Sequence, residues 1–256
     1  MRADKFFADK FGSRTKAKEK LLRGLIYANG KQLSPDSELT GGESFLFIEE
    51  NSFVSRGGDK LERGLSVFNE NVEGCVFADF GASTGGFTDC LLRRGAKKIY
   101  CIDVGENQLD ETLVRAKRVV VFDKTNVRYL TKEQFQEPLD GIVSDLSFIS
   151  LKLVLPVVAR LFDSDERAFM LFKPQFECGK GKIGKSGILP VRCHENLLSE
   201  FYDFCLSCGL QLHDIVNAPL SEGKNVEYIV YLSKSRPALD KREFLRRAAD
   251  FYENRT

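Results

Sequence analysis

No apolar run in this chain approaches the roughly 18 residues that a membrane-spanning helix requires, and the basic start is not followed by the apolar stretch of a secretory signal. Those two absences argue against a spanning or exported protein, and the expectation is a soluble cytoplasmic one. There is no excess of either charge: 38 Lys and Arg face 37 Asp and Glu, a net charge of +1. Any nucleic-acid signal must therefore come from local clustering. Internal repeats and low-complexity tracts are missing, so 256 residues suit one ordinary α/β domain with a small appendage. Cysteine does not form a framework either. Seven, an odd number, are scattered through apolar stretches and read as small buried hydrophobes in a reducing compartment. Cys205-x-x-Cys208 has no second pair or histidine cluster beside it and falls inside the helical pattern Leu197, Leu198, Phe201, Phe204. Packing is expected there, and no metal site.

What is present is most informative over residues 76–103. An apolar run, Val76-Phe77-Ala78-Asp79-Phe80, breaks into the turn Gly81-Ala82-Ser83-Thr84-Gly85-Gly86-Phe87, and a second run, Ile99-Tyr100-Cys101-Ile102, closes on Asp103. A strand, a small-residue turn, a short helix and a second strand ending in a carboxylate make half of a nucleotide-binding α/β unit. In the dinucleotide version of this turn the second glycine lets the backbone crowd a pyrophosphate. Here that position is Ser83, which points to an adenosine-like ligand without a pyrophosphate, S-adenosylmethionine, with Asp103 accepting from its ribose hydroxyls.

Further apolar runs alternate with helical patterns: Val119–Phe122, Gly141–Asp145, Phe169–Lys173 and Tyr228–Leu232, then an amphipathic helix over Lys241–Glu253. That alternation implies a largely parallel, doubly wound sheet with its ligands at the strands' carboxyl ends. Residues 1–50 differ. Between Arg2 and Arg23 they carry Arg2, Lys5, Lys10, Arg14, Lys16, Lys18, Lys20 and Arg23 against only Asp4, Asp9 and Glu19. Ser13 can cap a helix that buries Ala17, Leu21 and Leu22, Gly24 can end it, and Asn29-Gly30 reads as a hairpin turn. The expected division is a basic α+β module over 1–50, a linker over 51–59, and the α/β domain over 60–256. The order Phe11-Gly12-Ser13-Arg14-x-x-Ala17, then Gly24-x-Ile26-x-x-Asn29-Gly30, resembles the small RNA-binding domain shared with ribosomal protein S-four. That resemblance implies contact with structured RNA through Arg2, Lys5, Arg14, Lys16, Lys18 and Lys20, contacts that supply affinity rather than sequence choice.

Three strands finish on or beside an ionisable residue, Asp103, Asp145 and Lys173, where burial is costly unless the group is paired or functional. Methyltransferases acting on base amino groups commonly follow this strand end with Pro-Pro and an aromatic. Asp145-Leu146-Ser147-Phe148 lacks the prolines, which favours an oxygen nucleophile with a lysine beside it.

Ser55-Arg56-Gly57-Gly58-x-Lys60-Leu61, the Gly81–Asp89 turn, Asp103-Val104-Gly105, Thr125-Asn126-Val127-Arg128, Ser144-Asp145-x-Ser147-Phe148 and Lys173-Pro174-Gln175-Phe176-Glu177 together resemble the TlyA family. Its members, often labelled hemolysins, are ribosomal RNA 2'-O-methyltransferases with an FtsJ-like catalytic domain. The resemblance implies a Rossmann-like S-adenosylmethionine-dependent methyltransferase sheet, a catalytic Lys60, Asp145, Lys173 and Glu227, and donor contacts at Gly81, Ser83, Gly85, Asp103, Asn126 and Asp145. It also implies ribosomal RNA or ribosomal subunits as partner, with cytidine as the target.

A free lysine titrates near about 10.4 and a base acting near neutrality needs a value nearer roughly 8. Lys173 is thus open to two roles, general base or charged clamp on the developing oxyanion. Lys224-Asn225-Val226-Glu227 departs from the family's Gly-Asn-x-Glu, and Pro190-Val191-Arg192-Cys193-His194 lacks its Arg-Asp lead. Three rival readings remain: a membrane-active hemolysin, a non-catalytic RNA-binding protein, and a nucleotide hydrolase. The last rests on Gly179–Ser186, which fits the literal P-loop pattern but neither directly follows a strand nor opens a helix.

Overall fold

The computed structural model describes residues 1–22, 24–28, 31–47, 53–179, 187–219 and 224–249. The chain divides into a small unit built on Met1–Ser52 and a larger one built on Phe53–Ala218 and the chain from Asn225 onward. Asn29-Gly30, Glu49–Ser52, most of the P-loop-like stretch and the end of the last helix lie outside the described residues.

In the small unit, α1 (Ala3–Phe6), α2 (Ala8–Phe11) and α3 (Arg14–Leu22) accompany three short strands, β1 (Ile26–Ala28), β2 (Lys31–Gln32) and β3 (Phe45–Phe47), with β1 central and antiparallel to both others. Ser13 Oγ accepts from the Lys16 N–H, and Gly24 at φ 72° ends the helix, as helix capping leads one to expect. Ala17 and Leu21 are buried, and Leu22 is half-buried. The core is aromatic: Phe7 packs edge-on against Phe45 and Phe47, which Phe6 and Phe11 flank. Asp4, buried, accepts from both Arg2 and Arg14 at 3.3 and 2.9 Å. Part of the hydrogen bonding of those two arginines is therefore committed to the fold, which their reading as RNA ligands did not foresee.

The larger unit is α/β. Among its described residues, β4 (Val76–Phe80), β5 (Lys98–Ile102), β6 (Val119–Phe122), β7 (Gly141–Ser144), β8 (Arg167–Phe172), β9 (Gln211–Asn217) and β10 (Tyr228–Ser233) form one sheet in the order β6-β5-β4-β7-β8-β10-β9. β6 to β8 are parallel; β10 is antiparallel to both its neighbours. Around it lie α4 (Gly57–Val67), α5 (Gly86–Arg93), α6 (Glu111–Val114), α7 (Leu155–Leu161), α8 (Pro174–Glu177), α9 (His194–Ser207) and α10 (Lys241–Ala249). Every residue of β4, β7 and β10 is buried, so those strands read as largely apolar runs rather than alternating ones, with Asp79, Ser144 and Ser233 as their buried polar members.

Two expectations change. Phe53 already packs on the larger core and α4 begins at Gly57, inside the stretch read as linker. β9 is an unforeseen strand, because Gln211, His213 and Asp214 break up its apolar pattern at the sheet edge.

Candidate active site

The strand order reverses between β4 and β7, and a doubly wound sheet opens its crevice at such a switch point. Register brings the expected residues there. Phe80 lies opposite Ile102 on one side and Ser144 on the other, so the chain leaves β4 at Gly81 between Asp103 and Asp145. Tyr228 pairs with Phe172, and because β10 runs antiparallel its start lies at the carboxyl ends of the parallel strands. Glu227 is thereby brought to the same end of the sheet as Lys173 although 54 residues separate them in sequence.

Lys60 arrives from the first turns of α4, one helical turn before Gly64. A Cβ at Gly64 would stand 2.8 Å from Ile229 of β10, so glycine is what lets α4 approach that strand closely. Lys60 Nζ donates to Glu227 Oε2 at 2.8 Å and lies 3.5 Å from Asp145 Oδ2. Lys173 Nζ lies 2.5 Å from Asp145 Oδ1 and donates to Ser147 Oγ at 2.9 Å. Gln175 Nε2 donates to Glu227 Oε1 at 3.2 Å. Positive and negative groups alternate along this chain. Burial works against the Lys60 charge, but the Asp145 and Glu227 carboxylates outweigh it and hold its pKa above the ordinary lysine value. A cavity of ≈ 270 Å³ opens here, lined by Lys60, Asp145, Ser147 and Lys173 on one side and Gly81 and Ser83 on the other.

The turn after β4 alternates in handedness: Gly81, Ser83 and Gly85 all have positive φ, 79°, 48° and 96°. Ser83 adopts this conformation without being glycine, and its N–H donates to Asp103 Oδ2 at 2.9 Å, while Gly105 N–H donates to Oδ1 at 2.8 Å. A Cβ at Gly85 would fall 2.3 Å from Leu113. Asn126 is not on the cavity; it caps a short 3-10 turn by accepting from the Arg128 N–H, and the Thr125 N–H bonds to Asp103 O. Gly81, Ser83, Asp103 and Asn126 therefore lie along one track at the carboxyl edge. Backbone N–H groups that orient a carboxylate two strands from the switch point, beside a turn with no room for side chains, fit an adenosine-type donor.

Beneath the turn, Asp79 is fully buried; Oδ2 accepts from Thr88 Oγ1 at 2.7 Å and Oδ1 has no partner among the described residues. Burial pushes its pKa up to about 7.

Several positions escaped sequence reasoning. Ser147 and Gln175 extend the charged chain at both ends. Glu177 accepts from Ser150 Oγ and the Leu151 N–H, fixing the loop after Asp145. Asn225 spans Gly187 O and Leu189 N with its amide, and His194, buried against Tyr228 Oη at 3.0 Å, has its pKa pushed down to about 4 by burial. Only the motif resemblances carried any hint of these. The P-loop-like stretch lies outside the described residues except for Gly179; β8 ends at Phe172, α8 precedes Gly179, and among the described residues the next α-helix opens at His194.

Residues 53–234 match the FtsJ-like methyltransferase family. The chain belongs to it. Membership fixes the reaction class as methyl transfer and the donor class as S-adenosylmethionine. Hemolysin A of Brachyspira hyodysenteriae is 36% identical over 223 residues, 86% of this chain and 93% of that protein. The 16S/23S rRNA (cytidine-2'-O)-methyltransferase TlyA of Mycobacterium tuberculosis is 40% identical over 180 residues, 69% of this chain and 67% of that one. A solved structure described as a candidate hemolysin from Streptococcus thermophilus covers 99% of this chain and 97% of its own, at 33% identity and a TM-score of 0.73.

Proposed function

We propose that this FtsJ-like protein methylates a ribose 2'-hydroxyl of ribosomal RNA, with cytidine as the nucleoside by likeness to the relatives called TlyA. The observation that carries this reading is the chain of ion pairs joining Glu227, Lys60, Asp145 and Lys173, the last three of which line a cavity shared with Gly81–Thr84 of the turn. Gly81, Ser83, Gly85, Asp103, Asn126 and Asp145 would hold S-adenosylmethionine, which when bound supplies an electrophilic methyl on a sulfonium. The protein's own task is alignment of an attacking oxygen with that methyl and removal of the hydroxyl proton. Asp145, shared between two lysines, sets their spacing; Glu227 fixes Lys60. Lys173, at the cavity wall, acts as base or as oxyanion clamp. Phe148, 91% exposed and packed at a tilt against Phe176 with ring centroids 5.1 Å apart, offers a flat apolar face to an unpaired base.

Lys5 and Lys16, both exposed, and Lys18 and Lys20, with the exposed parts of Arg2 and Arg14, would contact RNA phosphates. The working compartment would be the cytoplasm, where ribosomal RNA is. Among the described residues no helix is long and apolar enough to cross a membrane, so nothing in them supports the rival suggested by the hemolysin names. Ribosomal RNA from cells lacking the gene, incubated with the protein and methyl-labelled donor, should yield 2'-O-methylcytidine on digestion to nucleosides. Label on a base, or no label at all, would defeat the proposal.

A further inference from the structure

We propose that Ser147 is a positioning residue for this methyl transfer, holding the Lys173 ammonium in one orientation toward the cavity; the inference rests on the ribose-methylation reading above. Asp145 Oδ1 lies 2.5 Å from Lys173 Nζ but accepts no hydrogen bond among the described residues, so this ion pair fixes where the nitrogen sits and not where its protons point. Ser147 Oγ at 2.9 Å does accept one. It takes one of the three directions left beside the bond to Cε, and so sets how the other two are presented to a substrate oxygen.

The surroundings are built to hold that serine still. Lys173 itself is only 6% exposed, so its side chain has little room to reorient. Ser147, by contrast, is exposed and lines the cavity directly. The residue after it, Phe148, sits at φ 63°, a conformation that is strained for a bulky side chain and persists only where neighbours enforce it. Those neighbours are identifiable: Phe176 packs on Phe148, and Glu177 binds Ser150 Oγ and the Leu151 N–H at 2.5 and 2.7 Å. Both come from the Pro174–Glu177 turn that directly follows Lys173. One short segment thus presents the amine and fastens the loop whose hydroxyl orients it.

The test compares Ser147→Ala with Ser147→Thr in the full chain, using ribosomal RNA from cells lacking the gene and measuring kcat, KM for RNA, donor affinity and Tm. Misorientation of a reacting group acts on turnover, so Ser147→Ala should lower kcat about tenfold while KM and donor affinity stay within about twofold. Ser147→Thr, which keeps the hydroxyl, should recover most of that loss with an unchanged Tm. Unchanged kcat in Ser147→Ala, equal losses in both variants, or a loss confined to KM would overturn the assignment. Wild-type protein that forms no ribose methylation would instead overturn the proposed function, which separates the two failures.

Discussion

At each end of the large sheet one carboxylate lies between two cations, and the same two strands supply both arrangements. β8 starts at Arg167 and delivers Lys173 just past its other end; β10 follows Glu227 and leads to Arg236. At the amino end of β8, Glu70 binds Arg167 and Arg236 and accepts from Tyr231 Oη at 2.8 Å, with a side chain 7% exposed. At the carboxyl end, Asp145 lies between Lys60 and Lys173, with a side chain 21% exposed, on a cavity. The choice of cation separates the two. Arginine forks hold a carboxylate in two directions and keep their charge under all conditions, which suits a permanent clamp. Lysine is a point charge whose proton can be lost when its surroundings favour it, which suits chemistry. Asp4 with Arg2 and Arg14 in the small unit repeats the arginine version.

The contrast can be broken most sharply at Asp145. Its replacement by alanine should reduce kcat by about 10²–10³, the loss typical of a group that orders a charged transition state. Turnover is read per folded molecule, because Lys173, 6% exposed, loses its carboxylate partner and stability falls as well. Glu70→Ala should act on stability alone. Two guanidinium groups lose their partner, so stability should fall by about 3–5 kcal/mol in denaturant titrations while turnover per folded molecule is kept. Equal effects of the two substitutions on both readouts would erase the distinction.

Asp79 sharpens it further, as a buried carboxyl with no cation paired to it among the described residues. Burial raises its pKa from an ordinary 3.8 to about 7, so the native state holds the proton more tightly than the unfolded chain does. Its favourable contribution is complete below the unfolded value and fades as pH rises through about 7. Asp79→Asn should therefore become more stable relative to wild type as pH increases from 5 to 8, on the order of 3 kcal/mol across that window. A difference independent of pH would contradict the assignment. The smallest effect belongs to the small unit. Each of Lys16→Ala and Lys20→Ala should weaken RNA binding modestly and lower its log–log salt slope by about 0.7. A slope that does not change would remove that lysine from the interface.

How much of this was legible beforehand follows burial. Strands buried on both faces, such as β4 and β10, stand out as apolar runs, broken in β4 only by Asp79, and the ionisable residues at their ends are conspicuous against them. β9 was not legible, since an edge position tolerates Gln211, His213 and Asp214. Nor were Ser147 and Gln175, whose partners Lys173 and Glu227 lie 26 and 52 residues away. A hydrogen bond between side chains that distant leaves no local pattern; only the folded register of β7, β8 and β10 brings the ends together. The pairing of Arg2 and Arg14 with Asp4 was hidden for a related reason. A charge count treats every arginine as available, and only the buried position of Asp4 reveals which are engaged.

The most direct test of the central claim is single-turnover transfer of labelled methyl to ribosomal RNA by Lys173→Ala and Arg167→Ala proteins, each corrected for its folded fraction and saturated with donor. The account predicts that Lys173→Ala loses nearly all ribose methylation while still binding donor, and that Arg167→Ala transfers at close to the wild-type rate. Near-normal transfer by Lys173→Ala, or a loss of equal size in both, would contradict it.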